Sequence, residues 1–204
     1  MLFLLVEYQS FMFKIYFIIP FIVFTKFSVA NNTDDCGNNE QARALAKLIK
    51  IDKNQKRNNI RCNIILTKAA EDKAKKMSEF GLVLHNLGGS PNSRLRAANY
   101  ELPDYYGTDF NSNQVEAISG GYTDADEVWD AFKRSDNHRI HLLGEHEFYV
   151  EQDEIGIAFI KNLSSPHVEY WVVYLTKGAK NNKITSDHFD EIPNKSMFFL
   201  HKEK

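Results

Sequence analysis

The sequence predicts an α+β fold, a three-layer α-β-α sandwich in which helices cover both faces of a small antiparallel sheet. Three observations predict it. Apolar residues recur at helical spacing through residues 39 to 51 and 63 to 80, the mark of two amphipathic helices. Residues 155 to 160 and 168 to 175 are apolar on both alternating faces, as strands lying between two layers must be. The helices come before that hairpin, and a hairpin buried on both sides needs a helical layer on each.

Taken in order, the first helix turns Ala42, Leu45, Ala46 and Ile49 inward, and the second Leu66, Ala69, Ala70, Ala74 and Met77. Asn63 stands where an N-cap belongs and Gly81 where a stop belongs, so the second helix delivers the chain straight to Leu84 and His85. A turn-rich stretch over residues 86 to 92 leads to a short helix around residues 93 to 98 and a Pro-, Tyr-, Gly- and Asn-rich surface loop from 100 to 113. Residues 115 to 119 read as a short strand stopped by Gly120 and Gly121. Thr123 with Asp126, or Asp124 with Glu127, gives a capping-box start to a helix carrying Val128, Ala131 and Phe132 inward. Ser135, Asp136 and Asn137 break it and can cap another, which begins at His138 and carries Ile140, His141, Leu142 and Leu143. Residues 161 to 166 supply the hairpin loop. From 178 to 204 no clear period remains.

Lys14 precedes an apolar run over residues 15 to 24, and Ser28-Val29-Ala30 precedes polar residues 31 to 35. That is the layout of a secretory signal peptide, so residues 1 to 30 are set apart from the fold, 31 to 38 form an N-terminal segment, and 39 to 177 the domain. Met12-Phe13-Lys14 would itself make a conventional start. The alternative is an uncleaved anchor helix, against which Lys26 interrupts the apolar run short of the roughly 20 residues a bilayer span needs; once the leader is removed no stable span is expected. The expected location is extracellular or periplasmic. With 43% hydrophobic residues, 25% charged and a formal net charge of -2, the composition is that of an ordinary globular chain and gives no general attraction to nucleic acid or acidic membranes. Cys36 and Cys62 are the only cysteines, and an even count in an exported chain points to a disulfide rather than a catalytic thiol.

Three residues stand out chemically. Glu116 lies inside an otherwise apolar strand, where a carboxylate costs desolvation energy unless a cation, a metal or hydrogen-bond donors meet it. His85 follows a helix into a Gly-rich region. His138 opens a helix, where the N-terminal dipole disfavours imidazolium and leaves a neutral ring free to act as a ligand. His138 and His141 are three apart on one helix surface, yet His-Arg-Ile-His lacks the glutamate and spacing of a zincin. No nucleophile elbow, Walker loop or Cys-x-x-Cys motif is present, which removes the usual hydrolase, nucleotide and thioredoxin-like readings.

The order His85, Ser93-Arg94, Asn99-Tyr100, then residues 115 to 122, then Ser135-Asp136-Asn137-His138-Arg139-Ile140-His141-Leu142-Leu143-Gly144 resembles the bacterial branch of the CAP superfamily, the cysteine-rich secretory protein, antigen 5 and pathogenesis-related 1 group. Phe148-Tyr149, Glu151-Gln152, Gly156-Ile157-Ala158 and Tyr170-Trp171-Val172-Val173 continue it, so the likeness covers about residues 40 to 176. The resemblance implies an α-β-α sandwich with a cleft where two histidines and acidic residues face each other around zinc or another divalent cation. His85 matches the first histidine, Glu116 the acid, and His138 the second histidine. Glu127 and His141 are weaker ligand candidates. Ala117 departs from the family's usual Asn and Phe132 from its usual Trp, which thins the ligand set. The leading expectation is an exported binding or interaction module with a protein, cell-wall or lipid partner. The alternatives are a metal- or Glu-assisted hydrolase with Glu116 as base, and a lipid or sterol carrier.

Overall fold

The computed structural model describes residues 36–178. The expected leader, residues 31–35 and the tail beyond Gly178, including His188 and His201, lie outside the described residues. Six helices and four strands follow one another: α1 Glu40–Ile51, β1 Arg61–Cys62, α2 Ile64–Phe80, α3 Pro91–Ala97, β2 Glu116–Gly120, α4 Ala125–Arg134, α5 Asp136–Leu143, α6 Glu147–Val150, β3 Glu154–Lys161 and β4 Glu169–Thr176. No helix among the described residues is long and apolar enough to cross a membrane.

Local chemistry fixes most of these boundaries. Asn39 caps α1 by accepting from the Ala42 amide, and Asn63 caps α2 by accepting from Ile65 and Leu66. Gly81 ends α2 in the left-handed region at φ 66°, its N–H bonded to the Met77 carbonyl, a conformation a side chain would strain. Of the two starts open for α4, the Asp124/Glu127 pair is the one used. Asp124 accepts from the Glu127 amide, while the Glu127 carboxylate accepts from the amide and hydroxyl of Thr123. Helix α5 begins at Asp136 rather than His138, because Ser135 takes the N-cap position with extended backbone. On α4, Trp129 rather than Ala131 joins Val128 and Phe132 inside.

The sheet order is β1-β3-β4-β2. Strands β3 and β4 form the expected antiparallel hairpin, and β2 joins β4 antiparallel with Glu116 opposite Tyr174. The sheet is mixed rather than wholly antiparallel, since β1 pairs parallel with β3. Two residues between a loop and α2 carry too little apolar pattern to announce a strand. Alternation then divides the sheet. Ala117, Ile155, Ile157, Phe159, Trp171, Val173 and Leu175 pack against α1, α4 and α5, whereas Ile118, Ala158, Tyr170, Val172 and Tyr174 pack against α2, α3 and the loop bearing Tyr100 and Tyr106. Gly156 lets α2 lie close on β3, because a Cβ there would stand 2.2 Å from the Thr67 amide nitrogen.

Cys36 and Cys62 are joined as a disulfide, tying the start of the domain to the edge strand. Closing a loop of 26 residues stabilises by about 3 kcal/mol in the chain-entropy account. Alkylation of unreduced protein should therefore label no thiol at either position, and a Cys36→Ala/Cys62→Ala variant should lose about that much in urea unfolding. Two labelled thiols would overturn the bridge.

Candidate functional site

Glu116 is the first residue of β2, and its side chain points to the α2/α3 layer, opposite to that of Ala117. That side chain is 0% exposed. Its Oε2 accepts from Arg94 Nη2 at 2.5 Å, and its Oε1 lies 2.9 Å from His85 Nδ1. Burial alone would raise the Glu116 pKa. The Arg94 charge, helped by the His85 hydrogen bond and the nearby Lys73, outweighs it and holds the carboxyl down to about 2. Burial likewise pulls the Arg94 pKa down, and the Glu116 charge with the Tyr174 hydroxyl reverses that into a net rise.

Two cations, the buried Lys73 and the half-buried Arg94, hold His85 in place. Lys73, on the inner face of α2, donates its ammonium to the carbonyls of Leu84, His85 and Leu87. Burial lowers its pKa to about 8. Arg94 Nη1 donates to the carbonyls of His85, Leu87 and Gly89, while its Nε donates to the Tyr174 hydroxyl at 3.0 Å. Asn113 completes the cluster. Its Oδ1 accepts from the Val115 and Glu116 amides, which fixes the amide orientation, and its Nδ2 donates to the Glu116 carbonyl while lying 3.1 Å from His85 Nδ1. One ring nitrogen cannot both receive from Asn113 and donate to Glu116. The charged partner is the stronger, which places the neutral ring's proton on Nδ1 and its lone pair on Nε2.

The other expected site residues are distributed elsewhere. His138 is half-buried on α5, its ring edge-on to Phe132 with centroids 4.9 Å apart, and Phe132 belongs to the core of the opposite layer. Glu127 is an exposed capping residue. His141 is buried, donates Nε2–H to the Leu175 carbonyl at 3.0 Å and packs its ring on Tyr149. Among the described residues no group of three or more His, Cys, Asp or Glu side chains is placed to hold a metal ion. Both Glu116 oxygens are engaged by a guanidinium and an imidazole N–H, so a divalent cation there would have to displace an arginine.

Sequence reasoning did not assign roles to Lys73, Arg94, Asn113 and Tyr174. An available signal was the unpaired carboxylate in β2, which requires a cation in the facing layer. With helical spacing on α2 placing Lys73 beside Ala69, Ala70 and Met77 on the buried face, that cation could have been sought there.

Burial lowers the His141 pKa to about 4. The unfolded chain takes up this proton near the ordinary 6.5, whereas the folded chain resists it until about 4, so stability falls as pH drops through that window by about 1.4 kcal/mol per unit. The Glu116 contribution has the opposite origin, a lowered carboxyl pKa, and is lost only below about 4.5 as pH approaches 2. Urea midpoints measured from about pH 7 to pH 4 should fall steadily for the wild type and stay nearly flat for His141→Gln. Parallel slopes would show that His141 is not the group responsible.

No protein-family model matches the chain, and no curated protein matches it. Solved structures similar to it include two bacterial surface or secreted proteins. An outer surface protein from Borrelia burgdorferi superposes with a TM-score of 0.50 at 21% identity, over 66% of this chain and 89% of that one. An extracellular protein containing a SCP domain from Bacillus anthracis str. Ames superposes with a TM-score of 0.50 at 15% identity, over 67% of this chain and 40% of that one, so this chain spans less than half of that protein's length. At such identities the likeness is one of fold. The architecture built above, with helices on both faces of a four-stranded sheet, is thus a fold shared with these two proteins, one of which contains a SCP domain.

Proposed function

We propose that this domain is a binding module of an exported protein, in which the Glu116, Arg94 and His85 cluster shapes and presents the 82–94 segment rather than performing hydrolysis. The observation that carries the reading is the complete engagement of Glu116. Its side chain is buried and both oxygens are bonded, so it has neither the access to water nor the free oxygen that a general base requires. Around it, Leu82 and Leu84 are 43% and 48% exposed next to the half-buried His85 ring. Apolar contact beside one polar acceptor suits recognition of a protein, wall-polymer or lipid ligand. Export is supported by the leader-like sequence and by the disulfide, which belongs to oxidising compartments. The similar proteins are named as outer-surface and extracellular.

A second reading has one observation in its favour. The carboxylate that orients Nδ1–H of His85 leaves Nε2 as a base, the arrangement used in carboxylate–histidine catalysis. Within a hydrolase, His85 and not Glu116 would then accept the proton. Assay of peptide and ester substrates with and without zinc separates the two readings. The module predicts no turnover above background in either condition. Hydrolysis that disappears in His85→Ala, with the variant still folded, would overturn it.

The cluster's structural role has its own measurement. Removing one partner of a buried pair leaves the other uncompensated, at a cost of about 3–5 kcal/mol. Glu116→Gln and Arg94→Met should each lower stability markedly, and the double variant should lose clearly less than the sum of the two. Simple additivity would mean that the pair is not coupled.

A further inference from the structure

The chain's charge is segregated in a way its total conceals. Residues 40–61 carry seven Lys and Arg against two acids, a net +5, whereas residues 62–178 carry eleven against eighteen, a net -7. In the fold this basic segment is α1 and the loop after it, in the layer opposite to the His85 cluster. Ala42, Leu45, Ala46 and Ile49 face inward. At about 100° per residue the outward ridge therefore runs from Glu40 in the first turn through Ala44 and Lys47 to Ile51, with Arg43 and Lys50 on one flank. Lys53 and Lys56 continue beyond the helix end, so the basic groups gather at its C-terminal half.

Lys47, Lys50, Lys53 and Lys56 have no ion-pair partner among the described residues. Asp52, the one acid amid them, is turned inward to Trp129 Nε1 and Lys133. Ile51 is 66% exposed in the middle of these lysines. An exposed isoleucine close in sequence to lysines without an ion-pair partner among the described residues, on a helix whose inner face packs on the core, matches an anionic phospholipid surface, which offers phosphate charge above an apolar layer. A purely electrostatic polyanion would give Ile51 nothing to contact.

We infer that the outer face of α1, through Lys47, Lys50, Lys53 and Ile51, docks this domain peripherally on anionic phospholipid bilayers. The contact is reversible and salt-sensitive, since each lysine near such a surface contributes about 1 kcal/mol, or about fivefold in affinity. It is independent of the His85 cluster, so the presence or absence of hydrolysis does not bear on it.

The test is co-sedimentation of the chain from Asn31 onward with vesicles of phosphatidylcholine alone or with roughly 30% phosphatidylglycerol, enough to give a clearly negative surface potential. Binding is expected only to the anionic vesicles. It should fall by more than about tenfold in Lys47→Glu/Lys50→Glu/Lys53→Glu, three side chains outside the core, and measurably in Ile51→Ser with no change of charge. Arg134→Glu, a charge change on α4, serves as the control and should have a smaller effect. Failure to bind anionic vesicles overturns the inference, as does binding that Ile51→Ser leaves unchanged while heparin or DNA competes fully, which would identify a general polyanion site.

Discussion

The ion pair between Glu116 and Arg94 joins the sheet to its α2/α3 layer at the point where an apolar core would otherwise be continuous. A carboxylate with a wholly buried side chain at the start of β2 stays ionised only because a guanidinium at 2.5 Å and an imidazole N–H at 2.9 Å replace the water it has lost. Arg94 then has its remaining donors distributed over three loop carbonyls and the Tyr174 hydroxyl. One pair therefore sets the position of α3, the course of the segment bearing His85 and the side of β4 on which Tyr174 stands. Such a pair contributes little net stability over apolar residues of the same volume. What it supplies is a definite geometry, since each of its directional bonds can be satisfied in one arrangement.

The same device recurs on the other side of the sheet without a carboxylate. Arg57 is buried, and its pKa is lowered to about 10 by that burial, yet its five donors reach the carbonyls of His141, Leu142 and Tyr149 and the Gln55 side chain. Those carbonyls close α5 and lie at the end of α6, where unpaired oxygens and the negative end of the helix dipole accumulate. Lys73 does likewise for the 84–87 turn. Lys73 and Arg94 thus supply partners to a loop that has no regular secondary structure, and Arg57 does so for two helix ends; each fixes the backbone it binds.

Much of the fold was legible because its signals are local. Asn63 and Gly81 mark the ends of α2 by capping chemistry, and the hairpin shows itself through apolar residues on both faces of β3 and β4. The mixed sheet was not legible, since β1 is two residues long and Arg61 finds its parallel partner Glu154 93 positions away in the chain. The site divides in the same manner. Glu116 is conspicuous as a charge in an apolar strand, and His85 follows from the helix end that delivers it. His138 was assigned by resemblance to a pattern, but what a helical residue faces depends on how α5 packs, and α5 starts two residues early with His138 against Phe132. Arg94 and Lys73 look like ordinary charges on amphipathic helices until the facing strand is known.

Register gives the buried carboxylate a further consequence. Adjacent residues of β2 face opposite layers, so a slip of one position against β4 would exchange Glu116 with Ala117. Glu116 would then enter the core formed by Trp129, Phe132, Leu142, Trp171 and Val173, where none of those side chains can neutralise it, and Arg94, half-buried beside Tyr174, would be left without its partner. Both errors carry the penalty of an unpaired buried charge. Strands β3 and β4, apolar on both faces, have no such preference of their own. The charge in β2 discriminates between two registers that hydrophobicity alone leaves nearly equivalent, which gives a physical reason for a carboxylate at this position whatever ligand the domain binds.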